Sequence, residues 1–252
     1  QAEKFGARIT VPANAVALSK QDGHYRIGID GSPELRARAV VLATGARYCK
    51  LDVPRLAEFE MTSVYYAATR FEAQECSTDP VAVVGGGNSA GQAAIFLAQQ
   101  SPCVYLLVRG DDLGRDMSRY LVVQVEANPR IHVLLNTEVR ELIGAHTLEK
   151  LVVEDNRTGA RTELGARAVF VFIGATPCTA WLAGTIMLDD HGFVLTGDHL
   201  PVARTDPRPL FLETSLPGVF AVGDVRSGSI KRVASAVGEG SMSVRLVHER
   251  LR

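Results

Sequence analysis

The sequence lacks several features that would each have pointed to a definite class of protein. It has no apolar run near the roughly eighteen residues that a membrane-spanning helix needs, and its first ten residues, QAEKFGARIT, contain no signal-peptide core. The 27 Lys and Arg residues nearly balance the 28 Asp and Glu residues, for a net charge of −1. Bulk charge therefore implies no nucleic-acid partner and no acidic membrane partner. We expect a cytoplasmic protein.

Cysteine is scarce and dispersed. The four cysteines are Cys49, Cys76, Cys103 and Cys178. They form no C-x-x-C motif and have no metal-ligand spacing, and their dispersed positions argue against a disulfide framework. We interpret them as mostly buried thiols and predict no metal site. The 252 residues are 46% hydrophobic, which excludes a disordered chain and allows one large domain or two small ones.

The strongest motif follows a short apolar run at Val81–Val84, which predicts a buried parallel strand. The next residues spell G-x-G-x-x-A, with Gly85, Gly87 and Ala90 at the key positions and Asn88 and Ser89 between them. Helical character follows from position 92 to position 100. A strand, a glycine turn and a helix are the context of a dinucleotide fingerprint, in which the helix N-terminus binds the pyrophosphate.

A second strand, Val104–Val108, ends at the position where such folds recognise the adenosine ribose. An acidic residue there would accept a hydrogen bond from the 2′-hydroxyl of NAD. This sequence has Arg109, with Arg115 close behind, and cations suit the 2′-phosphate of NADP. The return strand ends at Ile173 and Gly174 and completes the predicted NADP site.

Six further segments have strand or helix patterns. Residues 8–18 and 24–30 predict a small antiparallel meander. Residues 36–42 and 219–222 predict buried strands, and each is followed by a glycine turn. Residues 231–250 predict a helix, and Ser118 is a predicted N-cap for another helix that runs to about Ala127.

Three blocks carry a resemblance to a known family. ATGAR at 43–47, GGGNSA at 85–90 and GVFAVGDV with KRVASAVGEG at 218–240 resemble the thioredoxin reductase family of flavoproteins. The resemblance implies an α/β fold with two Rossmann-type three-layer domains. It implies an FAD-binding domain at 1–58 and 180–252, split by an NADP-binding domain at 59–179.

The resemblance also implies a flavin site, lined by Thr44, Gly45, Gly223, Asp224, Arg232, Val233 and Ala234. Asp224 would accept a hydrogen bond from a ribityl hydroxyl of FAD. Residues 232–234, at the start of the last helix, would lie against the flavin and its phosphates.

Two departures from the family pattern qualify these expectations. The family opens with a strand and a glycine motif for the FAD pyrophosphate, and residues 1–58 contain neither. We therefore expect that the N-terminal part of the FAD domain is missing and that this chain binds NADPH but holds FAD weakly. The family's redox-active C-x-x-C corresponds to Ser63–Thr69, which contains no cysteine. Cys76 lies ten residues beyond Tyr66, and we interpret it as a buried thiol.

The predicted function is that of an FAD-dependent NADPH oxidoreductase, in which hydride passes from nicotinamide to flavin. Its redox acceptor is unidentified, a fused regulatory domain is a possible partner, and a homodimer is expected. Two alternatives remain open at this stage. One is an NADPH-sensing module of a regulatory protein with little turnover, and the other is a ferredoxin–NADP reductase-like enzyme.

Overall fold

A computed structural model describes residues 2–60, 62–75, 78–201 and 208–252. Cys76, which we predict to be a buried thiol, lies outside the described residues. The chain divides into two compact units, one formed by Gln1–Arg47 with Ala175–Arg252 and the other by Tyr48–Gly174. No helix in the described ranges is long and apolar enough to cross a membrane.

The strands follow one another in chain order. They are β1 Ala15–Gln21, β2 His24–Ile29, β3 Ser32–Ala37, β4 Val40–Leu42, β5 Ala46–Tyr48, β6 Val64–Tyr65, β7 Val81–Val84, β8 Val104–Leu107, β9 Ile131–Leu134, β10 Thr137–Gly144, β11 Leu148–Asp155, β12 Arg161–Gly165, β13 Ala168–Val171, β14 Ala175–Pro177 and β15 Val219–Ala221.

The α-helices are α1 Leu56–Phe59, α2 Arg70–Glu75, α3 Asn88–Leu97, α4 Arg119–Glu126 and α5 Val233–Arg250. Short 3-10 turns include Leu113–Arg115 and Gly223–Val225.

The unit Tyr48–Gly174 is built on a parallel sheet with strand order β6-β13-β7-β8-β9. The central strand β7 is buried along its whole length, because both of its faces are covered. Helices α3 and α4 pack on one face of the sheet through a core that includes Ala94, Leu97 and Val125. The antiparallel sheet β10-β11-β12 covers the other face through residues such as Leu142 and Leu151. This is a three-layer Rossmann-type unit.

The other unit has three layers of its own. The antiparallel meander β1-β2-β3 packs against the parallel pair β4 and β15 through a core that includes Leu18, Leu42 and Val219. Helix α5 packs on the opposite side, where Leu246 and Val247 meet a small cluster around Phe220. The fold is therefore α/β with Rossmann-type layering, as the sequence predicts.

Several element boundaries differ from the sequence-based expectations. The single strand expected at 36–42 is two strands, since β3 pairs with β2 in the meander whereas β4 pairs with β15. The chain must leave one sheet for the other at Arg38 and Ala39. The first strand begins at Ala15 rather than Arg8, and α3 begins at Asn88 rather than at position 92. Strands Val81–Val84 and Val104–Leu107 and helix α4 match their predictions closely.

The compact units divide the chain earlier than the expected boundaries of 58/59 and 179/180. Leu51, Val53 and Leu56 pack against the core that β10 and β11 form, so these residues group with the unit Tyr48–Gly174. At the second boundary, the backbone N–H of Cys178 donates to the carbonyl of Gly45 at 3.1 Å. Which dinucleotide each unit binds stays a prediction.

The two connecting strands pair with each other. β5 and β14 form a two-stranded sheet. Within the unit Tyr48–Gly174, the N–H of Cys49 donates to the carbonyl of Gly174 at 3.0 Å. The first and last residues of this unit therefore lie side by side.

Candidate functional site

A cleft of about 470 Å³ opens at the carboxyl ends of the parallel strands in the unit Tyr48–Gly174. Val84 at the end of β7, Leu107 at the end of β8 and Phe172 just after β13 contribute to its lining. Ligands of open α/β sheets bind at this edge. The cleft brings together five of the residues predicted from the sequence, namely Gly85, Gly87, Arg109, Arg115 and Ile173.

Gly85 makes the tight turn between β7 and α3. Its φ is +140°, and a Cβ at this position would lie 2.4 Å from the carbonyl oxygen of Phe172. It would also lie 3.3 Å from the Cβ of Ala90, which is fully buried beneath the turn. Both small residues are therefore required by the fold itself, with Ala90 packing α3 against the sheet.

Gly87 differs from Gly85 in what surrounds it. It is the N-cap of α3, with φ −92°, and a Cβ there would meet no atom of the described residues closer than the Asp116 carbonyl oxygen at 3.8 Å. The protein itself does not need a glycine at this position. The exposed N-terminus of a 10-residue helix, without a side-chain cap, leaves backbone N–H groups open to an anion.

Asn88 and Ser89 follow in the first turn of α3, and the cleft lining does not include them. The Oδ1 atom of Asn88 accepts hydrogen bonds from the N–H of Ser118 at 2.7 Å and from its hydroxyl at 2.9 Å. Asn88 thus fastens α3 to the start of α4. Ser118 is at the N-cap position of α4, as expected, but its hydroxyl bonds to Asn88 and makes no cap bond.

Arg109 and Arg115 lie at the end of β8, where a ribose-recognising residue is expected. A Cβ on Gly110 would lie 2.8 Å from Nη2 of Arg115, so this guanidinium lies over the loop that follows Arg109. The Nε of Arg115 is 3.3 Å from a carboxylate oxygen of Asp116. Within the described part of the chain, the Arg109 guanidinium has no hydrogen bond or ion pair and is exposed.

Other charged residues line the cleft that the sequence patterns did not reveal. They include Lys50, Asp52, Glu138 and Arg140. They precede the fingerprint by many residues or follow β9, and no local motif marks them. Only the strand order brings them to the same edge as the glycine turn.

The start of β10 is fixed beside the end of β8. The N–H of Thr137 donates to the carbonyl of Val108 at 2.9 Å, and the N–H of Asn136 donates to the carbonyl of Gly110 at 2.9 Å. The Asn156 amide bridges the carbonyl of Arg109 at 2.9 Å and a carboxylate oxygen of Glu138 at 3.3 Å. Glu138 therefore lies close to the backbone of Arg109.

Arg140 joins two carboxylates on this part of the sheet. It contacts Glu138 at 3.0 Å and Glu154 at 2.9 Å, and Glu154 also contacts Arg161 at 2.8 Å. Glu138 and Glu154 are directly opposite each other in the β10–β11 register. The two arginines hold the pKa of the Glu154 carboxyl below its usual value, and the hydrogen bond to Glu154 raises the pKa of Arg140.

In the other unit, two glycine turns follow the paired strands β4 and β15. The hydroxyl of Thr44 donates to the Cys178 carbonyl at 3.1 Å, and Gly45 has φ +68°. The N–H of Val222 donates to the carbonyl of Leu42 at 3.0 Å. The expected flavin-side turns, at Thr44–Gly45 and at Gly223–Asp224, therefore follow hydrogen-bonded strand ends within one unit.

Glu239 on α5 holds the Gly223 turn in place. One of its carboxylate oxygens accepts the N–H of Gly223 at 2.6 Å, and the other contacts Nη2 of Arg226. The side chains of Arg226 and Glu239 are only 9% and 12% exposed. Asp224, between these anchor points, is half-buried, and its carboxylate has no hydrogen bond within the described ranges. It is not a cap, and it is free to accept from a ligand.

Arg232, Val233 and Ala234 form the start of α5. Arg232 is the N-cap, and its Nη1 donates to the Lys231 carbonyl at 2.8 Å. Val233 is 82% exposed and Ala234 is exposed. The described protein atoms therefore leave the N-terminus of this helix accessible, as the expected flavin contact requires.

Tyr66 occupies the stretch that corresponds to the family's dithiol. Its hydroxyl donates to Glu60 at 2.6 Å, and Glu60 is 2.7 Å from the ammonium of Lys50, which lines the cleft. The ring of Tyr48 stacks on that of Tyr66 with centroids 6.1 Å apart. Lys50 lowers the pKa of Glu60, whereas burial and the bond to Glu60 strongly raise the pKa of Tyr66.

The raised pKa of Tyr66 predicts a loss of stability in alkali that depends on this residue. Its folded-state pKa lies above the value of about 10 for a free tyrosine, so its contribution is complete below about pH 10 and declines as pH rises further. Tyr66→Phe should therefore flatten the fall in stability above about pH 10. Urea unfolding of both proteins at several pH values measures this difference. If the free energy of unfolding falls equally with pH in both proteins, Tyr66 does not make this contribution.

The described residues contain no group of three or more His, Cys, Asp and Glu side chains arranged to hold a metal ion. The glycine turn, the helix N-terminus and the exposed guanidinium of Arg109 at one sheet edge are instead features that nucleotide sites use.

Comparisons with known proteins agree with this geometry. The model of the pyridine nucleotide-disulphide oxidoreductase family matches residues 1–240. The thioredoxin reductase of Streptomyces clavuligerus is 32% identical over 244 residues, which cover 95% of this chain and 70% of that protein. A 34.2 kDa protein in the rubredoxin operon of Clostridium pasteurianum is 31% identical over 208 residues, which cover 82% of this chain and 63% of that protein.

Among solved structures, the thioredoxin reductase from Streptococcus pyogenes MGAS5005 superimposes with a TM-score of 0.78 and 27% identity, over 99% of this chain and 76% of that one. The chain thus spans between 63% and 76% of the length of these three proteins. Members of the thioredoxin reductase family are oxidoreductases that use FAD and NADPH. The family match and the shared fold lead to one conclusion: the chain belongs to the pyridine nucleotide-disulphide oxidoreductase family and is thioredoxin reductase-like.

Proposed function

We propose that this protein is an FAD-dependent NADPH oxidoreductase and that the unit Tyr48–Gly174 binds NADPH in the cleft described above. The observation that carries the proposal is the guanidinium of Arg109, which has no partner among the described residues and lies just after β8 in a cleft that also contains the glycine turn. Pyrophosphate would bind at Gly87 and the N-terminus of α3, and the 2′-phosphate would bind at Arg109 and Arg115.

The other unit fits the flavin. Asp224 offers a carboxylate with no hydrogen bond among the described residues, Thr44 and Gly45 form a fixed turn, and the accessible start of α5 at Arg232 can receive negative charge. FAD supplies the acceptor for hydride from the nicotinamide ring. The residues named here bind and orient, and hydride transfer needs no side-chain acid or base.

Preference for NADPH over NADH should depend on Arg109. A charge-assisted hydrogen bond contributes about 1.5–3 kcal/mol, which corresponds to about 10- to 100-fold in affinity. We expect Arg109→Ala to weaken NADPH binding by this factor and to leave NADH binding nearly unchanged. Isothermal titration with each nucleotide measures both values.

Arg157→Ala is the matched control, because Arg157 is exposed in the same unit and does not line the cleft. It should bind both nucleotides as the unchanged protein does. If Arg109→Ala loses affinity for NADPH and NADH equally, Arg109 supports the fold and does not recognise the 2′-phosphate.

We further propose that electrons leave the flavin without a dithiol at the family's usual place. Disulfide exchange needs a thiolate nucleophile and a resolving thiol, and the stretch Ser63–Thr69 has neither. Tyr66, in this stretch, is instead bound to Glu60. The acceptor is therefore a protein or small molecule that receives electrons by another route.

The absence of cysteine from Ser63–Thr69 also favours a second candidate, an NADPH sensor of a regulatory protein with little turnover. A ferredoxin–NADP reductase-like enzyme would also lack the dithiol. Steady-state oxidation of NADPH with artificial electron acceptors separates the two enzymes from the sensor, and ferredoxin as the acceptor separates the enzymes from each other.

A further inference from the structure

We infer that Glu138 recognises the adenine base of the dinucleotide by accepting a hydrogen bond from its 6-amino group. The inference rests on the proposed function, because it takes the position of the adenosine from the proposed phosphate contacts. It adds a base-specific contact to a site that otherwise recognises phosphate and ribose.

The position of the base follows from the order of groups in the nucleotide. Pyrophosphate at Gly87 and the 2′-phosphate at Arg109 place the adenosine ribose at the end of β8. The base must then lie farther along the same cleft. That part of the cleft is formed by Thr137, Glu138, Val139 and Arg140, at the start of β10.

Among these four residues, Glu138 has the side chain suited to an amine. The hydroxyl of Thr137 already donates to the carbonyl of Leu135 at 2.8 Å, and Val139 is buried and apolar. Arg140 carries only donors. The 6-amino group is the one strong hydrogen-bond donor of adenine, and a carboxylate accepts such a bond well.

The Glu138 carboxylate is held in place but retains free acceptor capacity. It accepts from Arg140 at 3.0 Å and from the Asn156 amide at 3.3 Å, and a carboxylate has about four acceptor positions. Its side chain remains 30% exposed on the cleft. A recognition contact requires a carboxylate that neighbouring side chains hold in place and that the ligand can still reach, and Glu138 meets both conditions.

A bulge in β10 makes this arrangement possible. The register of β10 with β11 shifts between Val139 and Glu141, so Arg140 has no direct partner across the sheet. Bulges turn a side chain away from its regular direction and occur beside functional sites. Arg140 uses this freedom to lie between Glu138 and Glu154, and it also shields two carboxylates that would otherwise repel each other. Arg140 is thus a positioning residue for Glu138.

The test compares NADPH with its reduced hypoxanthine analogue, which carries a carbonyl oxygen in place of the 6-amino group. Calorimetric titration of the whole chain should show that the unchanged protein prefers NADPH by about 10-fold or more. In Glu138→Gln the preference should fall to less than about threefold, because the amide can accept from adenine and donate to hypoxanthine.

The control is Glu163→Gln, a substitution in the same antiparallel sheet. Glu163 contacts Lys150 at 2.7 Å, is 59% exposed and does not line the cleft. This variant should keep the full preference. Equal affinity of the unchanged protein for both nucleotides, or an undiminished preference in Glu138→Gln, would overturn the inference. Failure of the unchanged protein to bind either nucleotide would instead overturn the proposed function, and the inference with it.

Discussion

Gly87→Ala is expected to fold normally and to bind NADPH about 10- to 100-fold more weakly. A Cβ at this position meets no described protein atom within 3.8 Å, and its φ of −92° is ordinary for alanine. The new methyl group would instead occupy the space in which a pyrophosphate approaches the N-terminus of α3. At least one charge-assisted hydrogen bond should be lost, at about 1.5–3 kcal/mol.

Gly85→Ala provides the contrast, because the fold and not the ligand requires that glycine. Its Cβ would lie 2.4 Å from the backbone of Phe172, and φ is +140°. Such strain costs about 1–3 kcal/mol before the steric overlap is added, which is a large share of a typical 5–15 kcal/mol stability.

Thermal unfolding and calorimetric titration separate the two variants. Gly87→Ala should unfold at the original temperature and lose NADPH and NADH affinity alike, unlike Arg109→Ala, which should lose only NADPH. Gly85→Ala should unfold at a clearly lower temperature. If Gly87→Ala binds NADPH with full affinity, the pyrophosphate does not lie at this turn.

Glu239→Ala is expected to lower the free energy of unfolding by about 3–5 kcal/mol. The substitution leaves the buried guanidinium of Arg226 without its carboxylate and the N–H of Gly223 without an acceptor. Among the described residues, the guanidinium would keep its bond from Nη1 to the Ser227 carbonyl at 3.1 Å and its contact with the Phe211 ring, whereas its Nε has no hydrogen-bond partner. Removing one member of a buried pair costs more than an exposed pair contributes.

Urea unfolding measures the effect, with Glu249→Ala as the control. Glu249 is exposed on the same helix, so its loss should change stability by less than about 0.5 kcal/mol. Equal effects of the two substitutions would show that the contact between Glu239 and Arg226 does not stabilise the protein.

The sequence predicted those parts of the site that one short stretch encodes. The fingerprint at Gly85–Ala90 and the position of Arg109 depend on local turn chemistry and on strand length, and both can be recognised in a linear pattern. Strands β7 and β8 were predicted for the same reason, since runs such as Val81–Val84 are continuously apolar. Family resemblance supplied the roles of the remaining blocks.

The rest depended on long-range pairing, which no local pattern reveals. Lys50 reaches the cleft from a segment far from the fingerprint, and Glu138 does so because β10 is hydrogen-bonded beside β8. The bonds between Asn88 and Ser118, thirty positions along the chain, were not predicted, whereas a contact of Asn88 with the cofactor stays a prediction. The division of residues 36–42 between two sheets was missed because the partners of β3 and β4 are distant in sequence.

The pairing of Cys49 with Gly174 has a consequence for how such a chain can be assembled. A segment whose two ends lie side by side can be inserted into a loop of another domain without stretching its host. The insertion then affects the host domain at one loop only, and the host strands before and after that loop keep their register. Tyr48–Gly174 has this geometry, so it can be viewed as a cassette that gene rearrangement could move as one piece between different hosts.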